Sequence, residues 1–426
     1  MKKTVFLLIL VAITSHLSLA QEKTAILCGK LITASNDQVL DKQVILIEGE
    51  RIVAVGDQSL LSEEYTLIDL SEYTVLPGLI DAHVHPLIYG SAYQTNFLKG
   101  SSAFNALRGL KTVQTWLKEG WTTLRIAGDA DVQYAHLEIR DAINQGMFEG
   151  PRIYGAGHYL SITGGGGDIN NFSPEQKLIA DGLVVDGVDE VRKAVRQELK
   201  NGSDWIKVLV TGAFMSAGDN PQNVHFSEEE LQTVIQEAER RGVPVMAHAH
   251  STEGINMAIR MGVRSIEHGT FLSDESIDLF LEHGTYLIPT IYIGEYAVSN
   301  WDGDPAQAKS VALHKKYQEP TNRMYKKAIE RGVKIGIGSD NVGFPPNFAA
   351  NEFGELVKLG MSPMKAIQAG TRVNAELLGK DHEIGTIESG KFADIIATKH
   401  NPLDDIYELT RVKFVMKGGK VILSDE

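Results

Sequence analysis

The sequence predicts an α/β protein, a (β/α)8 barrel that carries a small β-sandwich domain assembled from both ends of the chain. Three observations support this prediction. Short β-branched runs recur eight times through the middle of the chain, and each ends in polar residues or glycine. Helical patterns lie between these runs, and strand followed by helix eight times over is typical of a parallel barrel. The two ends contain short strands separated by Gly-Glu and Gly-Gly turns.

The barrel is expected over residues 78–382. Its strands are predicted at 75–85, 122–128, 152–157, 206–212, 244–250, 265–269, 286–290 and 334–340. A helix is predicted over 227–241, because Ser-Glu-Glu-Glu at its start makes a good cap and first turn. Two further helices are predicted over 252–261 and 274–283.

The flanking β-domain is expected to combine residues 21–77 with residues 383–426. Neither end alone supplies a full sheet, so the simplest arrangement pairs strands from both. The predicted strands are 25–28, 44–48, 51–55, 393–398, 412–416 and 420–423.

Residues 1–20 have the pattern of a secretory signal peptide. Lys2 and Lys3 precede an unbroken apolar run over 5–13, and the small residues Ser18 and Ala20 suit signal peptidase, which would cleave before residue 21. A membrane anchor is the alternative, but the run is short for a bilayer. We therefore expect a secreted or periplasmic protein with no membrane attachment after cleavage.

Charge and cysteine content argue against a nucleic-acid partner, an internal disulfide and a cysteine-based metal site. The net charge is −14, and removal of the two lysines of the signal leaves 39 basic against 55 acidic residues, or −16. No basic patch stands out, so no nucleic-acid partner is expected. The single cysteine, Cys28, excludes an internal disulfide and a cysteine-based zinc site. Whether the chain forms a homo-oligomer is left open.

Metal-ligand residues lie at the carboxyl ends of the predicted barrel strands, where such barrels build active sites. His83 and His85 are two residues apart on one strand and so share a face. His248, His268 and Asp340 end the fifth, sixth and eighth strands. One histidine alone would be explained as a structural residue, but this recurrence at equivalent strand ends predicts a metal site.

Lys207 lies in the apolar fourth strand, and an ammonium cannot bind a metal ion. Burial beside imidazoles should lower its pKa, and a neutral amine reacts with carbon dioxide to give a carbamate. A carbamate has two oxygens that can bridge two metal ions. The alternative is an unmodified Lys207 paired with Asp340.

These residues occur in motifs that resemble the amidohydrolase superfamily over essentially all of the mature chain. The matching segments are 75–85 (VLPGLIDAHVH), 206–208 (IKV), 248–250 (HAH), 265–269 (SIEHG), 338–340 (GSD) and 385–394 (GTIESGKFAD). The resemblance implies one metal ion on His83, His85 and Asp340. It implies a second on His248 and His268, with the carbamate of Lys207 between them.

Within the superfamily the chain is most similar to a group of Xaa-Pro dipeptidases or prolidases, carboxypeptidase-like enzymes and ochratoxin-hydrolysing amidases. The supporting segments are 122–125 (TTLR), 150–153 (GPRI), 161–165 (SITGG) and 288–290 (IPT). Members of the group usually carry a histidine after Thr-Gly-Gly, where this chain has Gly166. His158 lies a few residues upstream as a substitute, although a surface position is the simpler expectation for it.

The expected substrate contacts are Arg125, Gly165, Gly166, His250 and Tyr292. A substrate carboxylate needs a cation or N–H donors, which Arg125 and the glycine loop can supply. In the alternatives, Arg125 pairs with Asp129 or Asp168 and Tyr292 only packs.

The resemblance implies hydrolysis of an amide bond in dipeptides or N-acyl amino acids. Two divalent metal ions, zinc first among them, would activate water. Asp340 would carry its proton to the leaving nitrogen, and Lys207 would be required through its carbamate. The glycine at 166 favours bulky substrates over narrow Xaa-Pro specificity. A lactonase or phosphotriesterase and a barrel used only for binding remain the alternatives.

Overall fold

The structure is a computed structural model that describes residues 22–90, 93–131, 133–216, 218–304 and 307–425, with the side chain of Tyr93 excepted. The expected signal peptide at 1–20 lies outside the described residues. No helix in the described ranges is long and apolar enough to cross a membrane.

Strands and helices alternate through the middle of the chain, and strands dominate its two ends. The strands are β1 (Lys23–Ile32), β2 (Val39–Asp41), β3 (Val44–Glu48), β4 (Arg51–Gly56), β5 (Thr66–Pro77), β6 (Leu79–Val84), β7 (Trp121–Ala127), β8 (Arg152–Ala156), β9 (Tyr159–Ser161), β10 (Leu183–Val184), β11 (Ile206–Leu209), β12 (Val245–Ala249), β13 (Ser265–His268), β14 (Tyr286–Ile288), β15 (Ile395–Thr398), β16 (Phe414–Lys417) and β17 (Lys420–Ser424). The helices are α1 (Tyr93–Asn96), α2 (Ser102–Lys118), α3 (Ala135–Asn144), α4 (Val188–Lys200), α5 (Glu228–Glu239), α6 (Thr252–Met261), α7 (Asp274–His283), α8 (Ile291–Asn300), α9 (Ala308–Arg331), α10 (Asn351–Lys358), α11 (Pro363–Gln368) and α12 (Asn374–Leu378).

Both ends of the chain contribute to one sheet, in the order β17-β16-β15-β5-β1-β3-β4 with β2 beside β1. The structure thus differs from the predicted sandwich in having a single sheet. The reason is β5, a 12-residue strand that pairs with β1 along its length and with β15 at its end. Both faces of this sheet are covered: Ile26 and Ile45 lie in one apolar cluster, and Ala25 and Val44 lie in another.

The strands of the middle region pair in parallel. They form a three-stranded sheet, β6-β7-β8, and a six-stranded sheet, β10-β9-β11-β12-β13-β14. Every residue of β6, β7, β11, β12 and β13 is buried, as expected for parallel strands covered by helices on the outside. The chain is therefore α/β, with its metal-ligand motifs on buried parallel strands.

The first predicted strand, 75–85, consists of two strands in different sheets. Pro77 ends β5 in the terminal sheet, and Leu79 begins β6 in the parallel one. Gly78 lies between them, and a Cβ atom at this position would lie 2.2 Å from Oγ1 of Thr122. The chain passes too close to β7 here for any other residue.

The eighth predicted strand, 334–340, is not a regular strand, but its backbone hydrogen bonds to both neighbours. On one side Gly336 N–H donates to the Leu287 carbonyl of β14 at 3.0 Å. On the other side Ala82 N–H donates to the Ile337 carbonyl at 2.9 Å, and Asp340 N–H donates to the His83 carbonyl at 2.8 Å. The segment thus links the end of the six-stranded sheet to the start of the three-stranded one.

The three predicted helices are confirmed. α5 begins with Ser227 in a capping box with Glu230, as its opening residues indicated. α6 and α7 have the predicted bounds, and they end at Gly262 (φ 97°) and Gly284 (φ 66°), left-handed positions that suit glycine. β9 and β10 were not predicted.

Candidate metal centre

Parallel strands bring the six predicted metal ligands to one end of the parallel sheets. His83 lies on β6, Lys207 on β11, His248 on β12 and His268 at the end of β13, and His85 directly follows β6. Asp340 ends the segment 334–340, and its N–H donates to the His83 carbonyl at 2.8 Å. All six line one cavity. Distant segments of the sequence therefore meet where each strand ends, as the strand pattern predicted.

One candidate ligand group consists of His83, His85 and Asp340. Oδ1 of Asp340 lies 3.3 Å from Nε2 of His85 and 3.7 Å from Nε2 of His83. All three can direct one ligand atom to a common point, since these atoms lie within 4.8 Å of one another. The Asp340 side chain is 17% exposed, so it also faces the cavity.

A second group contains three imidazoles, His248, His250 and His268, whose ligand atoms also lie within 4.8 Å of one another. The ring of His268 is 4.6 Å from that of His248, and it is 5.1 Å from that of His83 in the first group. The two groups are therefore neighbours. His250, expected as a substrate contact, belongs to this cluster and lines the cavity as well.

Lys207 is 2% exposed and lies among these imidazoles. Burial lowers the pKa of its ammonium to about 8, although the charges of Glu267 and Asp340 oppose that shift. The positive charge of Lys207 contributes in turn to the lowered pKa of His83, His248 and His268. Within the described residues, Lys207 has no salt bridge to Asp340, so this alternative is not observed.

Four of the imidazoles, those of His83, His248, His250 and His268, are held in the neutral form that binds metal ions. Burial is the largest cause that lowers the pKa of His248 to about 3, and it lowers the pKa values of His83, His250 and His268 well below their ordinary range. A cluster of neutral nitrogen bases beside a carboxylate suits a divalent cation such as zinc. The residues present thus fit the implied metal ions.

In three histidines, His85, His248 and His268, a hydrogen bond to one ring nitrogen leaves the other nitrogen to face the centre. Nδ1 of His85 donates to the Gly128 carbonyl at 2.5 Å, and Nε2 of His248 donates to the Gly212 carbonyl at 3.2 Å. A carbonyl only accepts, so Nε2 of His85 and Nδ1 of His248 keep their lone pairs. Nδ1 of His268 contacts Oγ1 of Thr290 at 2.7 Å, which leaves its Nε2. Such partners orient ligands in metal sites.

The structure does not place Arg125 in the cavity, where a substrate contact was predicted. Arg125 is completely buried and does not line the cavity. Its guanidinium donates to both carboxylate oxygens of Glu267 at 2.8 Å and to Oγ of Ser265 at 2.9 Å, so neither suggested partner, Asp129 nor Asp168, pairs with it. Glu267 in turn accepts from Nδ1 of His83 at 2.6 Å. Arg125 therefore supports a metal ligand from behind.

Tyr292 was also expected to bind substrate, and the structure places it outside the cavity. Its ring packs 5.0 Å from that of Phe348, which is the alternative the sequence left open. His158 is buried, not on the surface, because Glu198 binds its Nδ1 at 3.0 Å and the Asp131 carbonyl accepts from its Nε2. It therefore does not replace the missing histidine of the glycine loop.

The two glycines predicted to contact substrate, Gly165 and Gly166, differ in whether they line the cavity. Gly166 lines the cavity, and its carbonyl accepts from Oγ of Ser216 at 3.0 Å. Gly165 does not line it, and its carbonyl accepts from the Asn170 amide. The expected contact with substrate is thus open to Gly166 only.

Much of the wall of the cavity was not predicted. One face of α9 lines it, through His314, Tyr317, Gln318, Thr321, Asn322 and Tyr325. Their spacing of three to four residues is the pattern of one helix face, and this signal was available in the sequence. Phe214, from the segment after β11, packs 4.8 Å from the ring of His314.

Three residues at the cavity floor have left-handed backbone conformations that are rare outside glycine. They are His268 (φ 72°), Thr290 (φ 48°) and Asp340 (φ 53°). His268 is the last residue of β13, and Thr290 lies two residues after the end of β14. Strained conformations of this kind persist where the surrounding structure holds them, and they are concentrated at functional sites.

Comparison with known proteins gives a family match and similar proteins of known activity. The model of the amidohydrolase family matches residues 74–422. Ochratoxinase from Aspergillus niger is 31% identical over 428 aligned residues, which cover 94% of this chain and 87% of that protein.

Solved structures are similar over nearly the same span. A Xaa-Pro dipeptidase with methionine bound in its active site is 38% identical, with a TM-score of 0.87 and coverage of 94% of this chain and 99% of that one. A prolidase complexed with N-methylphosphonate-L-proline is 31% identical, with a TM-score of 0.86 and coverage of 94% and 100%.

Proposed function

The chain belongs to the amidohydrolase family and is a hydrolase of amide or peptide bonds, and from this premise we propose that it cleaves dipeptides or N-acyl amino acids at a centre of two divalent metal ions. The observation that carries this proposal is the cavity itself. His83, His85, Lys207, His248, His268 and Asp340 all line it, and they are the ligand types that such a centre requires.

In this proposal one ion is held by His83, His85 and Asp340, and the other by His248 and His268. Zinc is the first choice because the donors are nitrogen and oxygen without a thiolate. Such ions, when bound, polarise a carbonyl and lower the pKa of water. Asp340 receives a proton from the attacking water and delivers it to the leaving nitrogen, since its carboxylate faces the cavity.

We propose that Lys207 carries a carbamate between the two ions. The lowered pKa of its amine, about 8, leaves a useful fraction of it neutral near neutral pH. The neutral nitrogen adds to the carbon of CO2 and loses one proton, which converts a cation into an anion with two oxygens. In this proposal the carbamate would lie among the buried histidines and would hold the metal ions together with them.

The names of the relatives support the substrate class. They include an ochratoxinase, a Xaa-Pro dipeptidase and a prolidase. Because Arg125 is buried behind His83, a substrate carboxylate would be held by the polar face of α9, where Tyr317 and Asn322 line the cavity. Apolar side chains such as Phe214 also line the cavity, and they suit bulky acyl groups or large side chains.

The test is a hydrolysis panel on protein reconstituted with zinc and bicarbonate. Each N-acyl-Phe, N-acyl-Leu and Xaa-Pro substrate is compared with its own C-terminal amide. A lactone and a phosphotriester are added to test the alternative activity. We expect kcat/KM to be highest for the bulky amides and at least about tenfold lower for their amidated forms, the value of one lost charge-assisted contact. Asp340→Asn should abolish turnover of all of them. Faster cleavage of the lactone or phosphotriester would identify the alternative activity.

We further propose that the two parallel sheets are parts of one (β/α)8 barrel, which the hydrogen bonds of segment 334–340 and the solved relatives support. Export through residues 1–20 to a secreted or periplasmic location remains our proposal for the protein in its host. Sequencing of the amino terminus of the native protein tests it, and the expected first residue is the glutamine at position 21.

A further inference from the structure

Two buried ionisable residues outside the cavity, His158 and Glu198, take no part in the proposed reaction. His158 lies between β8 and β9 and is 8% exposed, and Glu198 lies on α4 and is 1% exposed. Neither residue lines the cavity. Burial of an ionisable group is costly unless the group is paired and hydrogen-bonded. The contacts of these two residues therefore indicate what they do.

Glu198 accepts hydrogen bonds at both of its carboxylate oxygens. Oε1 accepts from the hydroxyl of Tyr134 at 2.7 Å and from Nδ1 of His158 at 3.0 Å. Oε2 accepts from the backbone N–H of His158 at 2.8 Å and from Oγ of Ser203 at 3.3 Å. Donors therefore surround the carboxylate, as expected for an ionised acid in a protein interior.

Both ring nitrogens of His158 face acceptors. Nδ1 faces the carboxylate of Glu198, and Nε2 faces the Asp131 carbonyl, which can only accept. An imidazole that donates from both nitrogens carries a positive charge. Burial lowers the pKa of His158, but the hydrogen bond and the charge of Glu198 outweigh burial and raise this pKa above its ordinary value. His158 and Glu198 are therefore a buried ion pair.

The ion pair anchors the segment 128–131, which follows β7. The Asp131 carbonyl accepts from the ring of His158, at one end of the segment. Beside it, the N–H of Asp129 donates to the Gly157 carbonyl at 3.0 Å. The segment is thus attached at two points to the residues that connect β8 and β9.

Gly128, the first residue of this segment, connects the ion pair to a candidate metal ligand. A Cβ atom at Gly128 would lie 2.9 Å from the backbone nitrogen of Tyr159 and 3.2 Å from the carbonyl carbon of His158, so the two backbones are in close contact. The Gly128 carbonyl accepts from Nδ1 of His85 at 2.5 Å. This hydrogen bond leaves Nε2 of His85 for a metal ion.

We propose that the ion pair of His158 and Glu198 fixes the orientation and the tautomer of His85. Both are positioning residues, because they act through Gly128 and do not line the cavity. The affinity of the protein for the metal ion proposed beside His85 then depends on a pair that does not touch the ion. This consequence rests on the proposed function, since it assumes a metal ion at His85.

The second proposed metal ion provides an internal control. Its ligands His248 and His268 contact the Gly212 carbonyl and the Thr290 hydroxyl, which belong to other parts of the chain. Loss of the ion pair should therefore reduce the affinity for one ion and not for the other. A general loss of stability would reduce both affinities.

Zinc titration in competition with a chromophoric chelator measures the two affinities. Glu198→Ala should lower one of them by about 10- to 100-fold, the usual effect of a lost partner of a metal ligand. Glu198→Gln keeps one acceptor oxygen and should recover part of this loss. The matched control is Glu237→Ala, because Glu237 is 6% exposed and pairs at 2.9 Å with Arg196, which also lies on α4. This control should leave both zinc affinities unchanged.

Anomalous diffraction identifies the site that is weakened. Crystals of Glu198→Ala grown with limiting zinc should keep the peak beside His248 and His268 and lose most of the peak beside His85. Equal loss of both peaks, or the same change in affinity in Glu237→Ala, would overturn the inference.

Neutron diffraction from metal-free, deuterium-exchanged crystals separates this inference from the proposed function. We expect deuterons on both ring nitrogens of His158 and on Nδ1 of His85 in the wild type. His158→Phe keeps a ring but removes both donors, and it provides a second variant if Glu198→Ala does not fold. In His158→Phe the hydrogen bond of His85 to Gly128 should be lost.

A single deuteron on the wild-type His158 ring, or an unchanged His85 in His158→Phe, would overturn the inference. The expected deuterons and the expected change in His158→Phe, in a protein that binds no zinc, would reject the proposed function and leave this positioning role standing.

Discussion

At the scale of the residue, the centre depends on a buried ion pair that the sequence did not reveal. Arg125 holds Glu267 with two 2.8 Å hydrogen bonds, and Glu267 holds Nδ1 of His83 at 2.6 Å. The pair turns Nε2 of His83 toward Asp340. Partners of this kind are worth about 10- to 100-fold in metal affinity.

We predict that Arg125→Met lowers the free energy of unfolding and weakens zinc binding. Removal of one member leaves the charge of Glu267 buried, and breaking such a pair costs about 3–5 kcal/mol. Urea unfolding and competition with a chelator measure the two effects. Arg331→Met, which breaks an exposed pair with Asp278, is the control and should cost less than about 1 kcal/mol.

A different result would restore the original expectation for Arg125. If the variant kept its stability and zinc affinity but raised KM only for substrates with a free carboxylate, then Arg125 would be the substrate anchor after all.

The candidate metal ligands could be predicted from the sequence, but the structural role of Arg125 could not, and the reason is physical. A ligand at the end of a strand is placed by the strand itself, because parallel strands present the same end to the active site. The role of Arg125 depends on a partner 142 residues away, on the inner face of another strand. Nothing local to residues 122–128 specifies that partner, so charge alone suggested a substrate contact.

At the scale of the element, helix α8 positions the second histidine group from behind. The carboxylate of Glu352, on α10, accepts from the N–H groups of Ile291 and Tyr292 at 2.8 Å each. These are the first residues of α8, and Thr290 precedes them with a left-handed backbone. Thr290 contacts Nδ1 of His268. Glu352 is therefore a positioning residue for a metal ligand that it does not touch.

We predict that Glu352→Ala destabilises the fold and weakens metal binding, and that Glu352→Gln has a smaller effect. The alanine leaves two backbone donors without an acceptor, at about 1–3 kcal/mol each when buried. Each carboxylate oxygen of Glu352 accepts from one of these N–H groups. The glutamine therefore keeps one acceptor and loses the other, because an amide nitrogen cannot accept a hydrogen bond.

The measurement for Glu352 is the visible spectrum of the cobalt-substituted protein, which reports ligand geometry. A changed spectrum in Glu352→Ala with partial recovery in Glu352→Gln would support positioning. Identical spectra in both variants, with stability alone reduced, would limit Glu352 to a structural role.

The face of α9 that lines the cavity shows how far sequence reasoning extends at this scale. His314, Tyr317, Thr321 and Tyr325 recur at helical spacing, so their common face was predictable. No local pattern encodes how α9 packs, so the sequence does not predict that this face lines the cavity. The three helices predicted from caps and periodicity are present, because their signals are local.

At the scale of the whole molecule, the terminal sheet and the parallel sheets meet just before the first two candidate ligands. Pro77 at the end of β5 pairs with Ile395 of the terminal sheet, and Leu79 at the start of β6 pairs with Trp121. Gly78 connects them, and its N–H donates to the Asp394 carbonyl at 2.9 Å. The terminal sheet therefore fixes where β6 begins, four residues before His83.

We predict that Gly78→Ala lowers both stability and zinc content. The added Cβ would lie 2.2 Å from Oγ1 and 2.6 Å from Cγ2 of Thr122, and overpacking of this kind costs about 1–3 kcal/mol. Urea unfolding and metal analysis measure the outcome. The double variant with Thr122→Ala removes these two atoms but keeps the Cβ atom of residue 122, at 2.8 Å, and should recover part of the loss. Wild-type stability and zinc content in Gly78→Ala would contradict this account of the junction.

The central claim is a pair of metal ions bridged by a carbamylated Lys207. Anomalous diffraction at the zinc edge, from crystals of protein reconstituted with zinc and bicarbonate, tests it most directly. The account predicts two anomalous peaks, one beside His83, His85 and Asp340 and one beside His248 and His268, with electron density continuing beyond Nζ of Lys207. A single peak, or two peaks beside an unmodified Lys207, would contradict it.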